Sequence, residues 1–206
     1  MRKKLITAII ALSLVLCCLV GGTAAWLMDT TSTVENTFTY GDINIDLEET
    51  VNGVKKSAAT TAVTNDKFQM VPGSTLDKDP TVTVEANSED CYLFVKITES
   101  ANLDTFITYA IAGGWTILSS KDTTEVVIYR TVAKSTTQDQ EFDIIGYNDA
   151  VGKFVANKVL VKTTVTKQDM EGIKTSNQPT LTFKAYAVQI ANVADVNAAW
   201  DLVKGN

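Results

Sequence analysis

The chain has 206 residues and a formal net charge of −6, with 45% hydrophobic residues and no histidine. That apolar content fills a core and separates the chain from disordered sequences. Without histidine, the Ser/His/Asp and Cys/His nucleophile systems, HExxH zinc proteases and His-ligated metal sites are excluded; an acidic chain with two arginines, Arg2 and Arg130, is also poorly suited to neutralise nucleic-acid phosphates.

The chain opens on Met1, Arg2, Lys3 and Lys4, then runs apolar over residues 5–20 with only Thr7 and Ser13 intervening. Gly21, Gly22, Thr23, Ala24 and Ala25 follow, and then Trp26. A basic start, an apolar stretch and small residues form the pattern of a secretory signal peptide, here residues 1–25. As a helix the apolar stretch reaches about 24 Å, short of the roughly 30 Å hydrocarbon core that a retained anchor would span. Three of the 18 basic residues lie in this leader, so its removal leaves 15 against 24 acids, a net charge of −9. Cys17 and Cys18 go with it. Cys91 then has no intramolecular partner, and its apolar surroundings (Tyr92, Leu93, Phe94, Val95) predict a buried, inert thiol.

Beyond the leader the sequence is rich in Thr and Val, residues that suit a pleated, half-buried surface. Ile43, Ile45 and Leu47 alternate with Asn44 and Asp46, the period of a strand. Residues 48–66 carry the least pattern and read as a loop or hairpin with Asn52-Gly53 at its tip. Pro72-Gly73 and Pro80 mark turns ahead of an alternating strand over 81–84. Residues 91–98 form a continuous apolar run passing into alternation, as in a central strand. Further strands are predicted over 107–111, 115–118, 125–132, 142–145, 159–165 and 181–190, with Gly113-Gly114 a hairpin signal between the first two. Helical pattern is scarce: one turn each at 102–105 and 167–171, and a short helix after Asp195. Asp195 is its N-cap, Val196, Ala199, Trp200 and Val203 form its apolar face, and Gly205 ends it. The expected fold is all-β, a jelly-roll-like β-sandwich with short peripheral helices, spanning 26–206 as one domain.

Candidate chemistry is sparse. Asp77, Asp79, Glu89 and Asp90 are oxygen ligands of the kind calcium takes, but no EF-hand loop accompanies them, and solvated loop acids are the expected role. Trp115 and Trp200 are expected in the core or at its rim rather than as a sugar platform. There is no phosphate-binding glycine loop, no motif for a catalytic residue or metal ligand, and no cofactor is expected.

The junction after the leader carries a resemblance. Gly21-Gly22-Thr23-Ala24-Ala25, Trp26 and Leu27 ahead of Asp29, a Ser/Thr stretch, Asn36-Thr37-Phe38-Thr39-Tyr40-Gly41 and the Ile43-Asn44-Ile45-Asp46-Leu47 strand resemble the start of the TasA/camelysin family of Gram-positive bacteria. Met70-Val71-Pro72-Gly73-Ser74 resembles the family's Pro-Gly turn, and Leu181-Thr182-Phe183-Lys184-Ala185-Tyr186-Ala187-Val188-Gln189 its closing strand. The resemblance implies a secreted jelly-roll subunit of biofilm matrix fibres, processed by a signal peptidase of the SipW type. Camelysin-like members are described as casein-cleaving surface metalloproteases, but this chain has no HExxH through which to carry that activity over. The expected cleavage region is Ala24, Ala25 and Trp26. Cleavage there frees a polar, β-prone arm over residues 27–38, with Leu27, Val34 and Phe38 as apolar anchors. The arm either adds to a sheet edge of the next copy, as in donor-strand complementation, or pairs within its own subunit. The expected partners are further copies of the chain and the signal peptidase; membrane contact is expected only through the uncleaved leader. A surface metalloprotease and a monomeric adhesin are the alternative functions.

Overall fold

Strand β5 (Cys91–Glu99) organises the structure, because its side chains are buried on both faces. The computed structural model describes residues 42–51, 54–57, 70–121, 124–191 and 193–205. All of them belong to the compact unit Tyr40–Asn206. The leader, the cleavage region and the arm lie outside the described residues.

Two four-stranded antiparallel sheets supply most of the fold. The first joins β1 (Ile45–Val51), β2 (Val54–Ser57), β4 (Thr81–Val84) and β10 (Gln140–Asp143) in the order β10-β4-β1-β2. The second joins β8 (Thr116–Lys121), β9 (Glu125–Val132) and β14 (Leu181–Gln189) to β5, in the order β14-β5-β9-β8. Two three-stranded sheets complete the structure. One contains β7 (Ala110–Ile111), β11 (Ile145–Asn148) and β12 (Phe154–Ala156); the other contains β3 (Thr75–Asp77), β6 (Ile107–Thr108) and β13 (Lys158–Val161). The architecture is the expected all-β sandwich.

Alternation explains how β5 serves two cores. Cys91, Leu93, Val95 and Ile97 point one way and meet Val82 and Val84 of β4 and Ile128 and Val132 of β9 in the main core. Phe94 points the other way into a second cluster with Val127, Tyr186 and Ala199. Leu93, Phe94, Val95 and Ile97 are fully buried, and each contributes about 1.5–3 kcal/mol relative to exposure. Helix α3 (Val196–Val203) covers this outer face. Its Asp195 cap accepts the Ala198 N–H at 2.9 Å, and Trp200 packs its ring centroid 5.4 Å from those of Phe94 and Tyr186. The short helices α1 (Leu103–Phe106) and α2 (Lys167–Glu171) fall at the single turns expected from the sequence. Thr166 and Asp169 cap α2 reciprocally, and those hydrogen bonds lower the Asp169 pKa.

Several expectations need correction. Gly113-Gly114 does not join a hairpin: β7 pairs with β11 and β8 pairs with β9. Gly114, at φ +85°, turns the chain from one sheet to another. The strand expected over 159–165 is shorter, ending at Val161, and it is preceded by β12, which the sequence reading missed. Asn157, at φ 62°, separates β12 from β13, a left-handed conformation that Asn tolerates better than most residues. The hairpin reading around Asn52-Gly53, by contrast, is met: Val51 faces Val54 across an antiparallel pair. The flanking strands therefore form a hairpin, while the tip itself lies outside the described residues.

Two features give direct tests. Gly146 lies opposite Ala156 in β11, and a Cβ there would run into the Val155 carbonyl oxygen and the Phe154 ring. Gly146→Ala is expected to destabilise the protein by about 1–3 kcal/mol. Gly113→Ala, with nothing within 4 Å of the added carbon, should shift stability by no more than about 1 kcal/mol; denaturant titration of both variants checks the contrast. The second test concerns Cys91, whose thiol is pushed up from 9.0 to about 11 by burial, with the Asp90 carboxylate adding to the shift. A folded-state value above the ordinary one means the neutral thiol favours the fold below about pH 9, a contribution lost as pH rises through the folded value. Iodoacetamide at pH 9 should modify the Cys91 peptide slowly in the folded protein and rapidly after denaturation, as read by mass spectrometry. Equal rates would contradict a sealed thiol.

Candidate functional site

A β-sandwich that closes its faces leaves backbone hydrogen-bonding groups available only at its sheet edges. β2 is four residues long and carries Lys55 and Lys56. Lys55 Nζ pairs with Glu48 at 2.7 Å and Glu141 at 3.0 Å. The hydrogen bond to Glu48, then that to Glu141, raises its pKa. A short strand rich in lysine is a protected edge. β3 and β12 have three residues each, too few to template a partner.

β8 differs. Its six residues, Thr116–Lys121, pair with β9 on one side, and among the described residues no strand lies on the other. Thr116, Ile117 and Ser119 are exposed. Ile117, an apolar β-branched residue, is 58% exposed. The register against β9 shifts between Ile117 and Ser119. This bulge bends the strand, while Leu118 packs against the cluster around Phe94. The result is an open edge bearing one exposed apolar anchor, paired on its inner side with β9.

The acids singled out in the sequence do not converge. Asp79 Oδ1 accepts the Thr50 N–H at 2.8 Å and Asp90 Oδ1 accepts the Lys134 N–H at 2.7 Å. Glu89 pairs with Lys134 Nζ at 2.7 Å, and Asp77 pairs with Lys158. Each carboxylate thus fixes a loop or strand end. Trp200 lies on α3 and packs, partly buried, against the Phe94 cluster. Trp115 sits at the rim, its indole N–H donating to the Asp143 carbonyl at 2.8 Å. Tyr109 donates to Glu99 at 2.5 Å, and burial, then that carboxylate, pushes its phenol far above the ordinary value. Ala24, Ala25, Trp26, Leu27, Val34 and Phe38 all lie outside the described residues.

Sequence reading passed over Arg130. Alternation along β9 puts it in line with Ile128 and Val132, on the strand face that fills the main core. An arginine at an inward position was the signal that could have found it.

A family model described as camelysin metallo-endopeptidase matches residues 1–139. No curated protein and no solved structure matches the chain. The family's description implies a catalytic metal, which the residues present do not fit. The chain has no histidine, and among the described residues no three Cys, Asp or Glu side chains converge. No helix of the described residues is long and apolar enough to cross a membrane. With two thirds of its length matched, from residue 1 through β9, the chain belongs to the camelysin metallo-endopeptidase family.

Proposed function

We propose that the chain is a secreted structural subunit that self-assembles into extracellular matrix fibres, its arm of residues 27–38 adding as an extended strand to the β8 edge of the next copy. The open β8 edge carries this reading: it offers unpaired backbone groups and an exposed Ile117, the two things an added strand uses for affinity and register. Arm and edge are different surfaces, so the contact is heterologous and propagates instead of closing. Leu27, Val34 and Phe38 supply the arm's apolar side chains, and a signal peptidase of the SipW type releases the arm by cutting near Ala25. The absence of histidine and of convergent acids among the described residues supports work by association rather than hydrolysis.

The family's name favours a second reading, a surface metallo-endopeptidase. Casein hydrolysis by purified protein, abolished by a chelator, would establish it. For the fibre reading, mature protein beginning near Leu27 should form filaments under negative-stain electron microscopy. Deleting residues 27–38 should leave folded monomers by light scattering and circular dichroism. Filaments of unchanged yield from the deletion variant would refute the arm's role.

A further inference from the structure

Beyond the end of the β8–β9 ladder, one step past the Thr116–Tyr129 pair, Arg130 runs out between two aromatic rings. Its Cζ lies 3.8 Å from the centroid of Phe142 and 5.4 Å from that of Trp115. The Phe142 contact is close stacking that covers one face of the guanidinium. Its Nε is buried without a hydrogen-bond partner. Ion pairs among the described residues all use lysine. Arg130 takes part in none of them, although the chain carries 24 acidic residues. Burial lowers its pKa, yet a guanidinium keeps its charge at neutral pH.

The Gly113-Gly114 turn packs close against the fork. A Cβ on Gly114 would stand 3.3 Å from Nη2 and 3.5 Å from Nη1. The Gly113-Gly114 turn therefore passes the fork without a side chain in the way. A planar fork with a buried, unmatched donor and rings fixing its plane suits one ligand chemistry best, a carboxylate taken side-on by two parallel N–H bonds. A sugar would need several hydroxyl partners, but the nearest indole N–H is already committed to the Asp143 carbonyl.

We infer that the Arg130 fork, held between Phe142 and Trp115, is a receptor for the carboxylate of an Asp or Glu side chain on a second copy of the chain. The inference rests on the self-association reading and adds the charge pairing that reading lacks. Copies cut near Ala25, with 15 basic and 24 acidic residues and so a net charge of −9, repel one another. A partly buried arginine on β9, beside the end of β8, gives an acidic side chain of the incoming copy a specific contact where an added strand would begin. Arginine in such a partly buried, ring-flanked position is the residue type that dominates association energies.

The chain's composition makes the test clean, because Arg2 and Arg130 are its two arginines. The ¹⁵N-labelled chain, kept below the concentration at which scattering appears, is titrated with N-acetyl-glutamate while the arginine Nε–H signals are followed. A saturable shift of the Arg130 signal, absent with N-acetyl-glutamine, supports the inference. No shift, or equal shifts with both compounds, overturns it. A shift with galacturonate alone overturns it in favour of an acidic glycan. In parallel, Arg130→Gln should raise the threshold concentration for filaments about tenfold or more, with Arg130→Lys intermediate because it keeps the charge and loses the fork. An unchanged threshold in folded Arg130→Gln overturns the second-copy assignment. The wild-type titration stands whether or not the variants fold. If deleting the arm abolishes filaments while Arg130 stays silent, this inference fails and the arm reading survives. If Arg130 responds and the deletion variant still polymerises, the arm reading fails alone.

Discussion

The structure depends on a strand that buries apolar side chains on both of its faces. β5 buries Leu93, Val95 and Ile97 against β4 and β9, and Phe94 against β14 and α3. A strand in that position needs neighbours on both edges and cover on both faces. β9 and β14 supply the edges, the β4 sheet one face and α3 the other. With Cys91 sealed in the same strand and no second cysteine beyond the leader, no covalent brace assists. Packing and the sheet ladders hold the fold together, and a close strand approach such as that at Gly146 matters accordingly.

The dependence on β5 bears on the extent of the family match. The match ends at residue 139, between β9 and β10. Everything after it, including β14 along the whole length of β5 and α3 over its outer face, completes the core that the matched part begins. The match therefore reaches through β9, while β14 and α3, in the unmatched third, cover one edge and one face of β5. The family's name and this chain's chemistry also separate. A hydrolytic metal needs converging ligands, and among the described residues no three Cys, Asp or Glu side chains converge.

Much of the fold was legible because alternation is a local signal. The central character of β5, the length of β14 and the Asp195 cap of α3 could all be read from neighbouring residues. Pairing could not. Gly113-Gly114 looks like a hairpin turn in sequence, yet its flanking strands find partners thirty or so positions away or in β9, because in a sandwich the partner is chosen by the core and not by the turn. β3 and β12, three residues each and partly exposed, are too short for periodicity to register. Arg130 shows the remaining gap: its inward position follows from the alternation, but the rings of Trp115 and Phe142 that flank it come from other strands and loops.

The C-terminal helix has a consequence for how such a fold can extend. Fibrils of the laminated kind grow by stacking bare sheet faces about 10 Å apart. Here Trp200 and Ala199 lie on one face of the β5 sheet and the β4 sheet lies on the other, so neither face can receive another sheet. Contacts between copies through backbone hydrogen bonds are confined to edges. A polymer of this subunit would be a single file of intact sandwiches, each keeping its own core, with the spacing along the file set by the size of a folded domain rather than by the distance between strands.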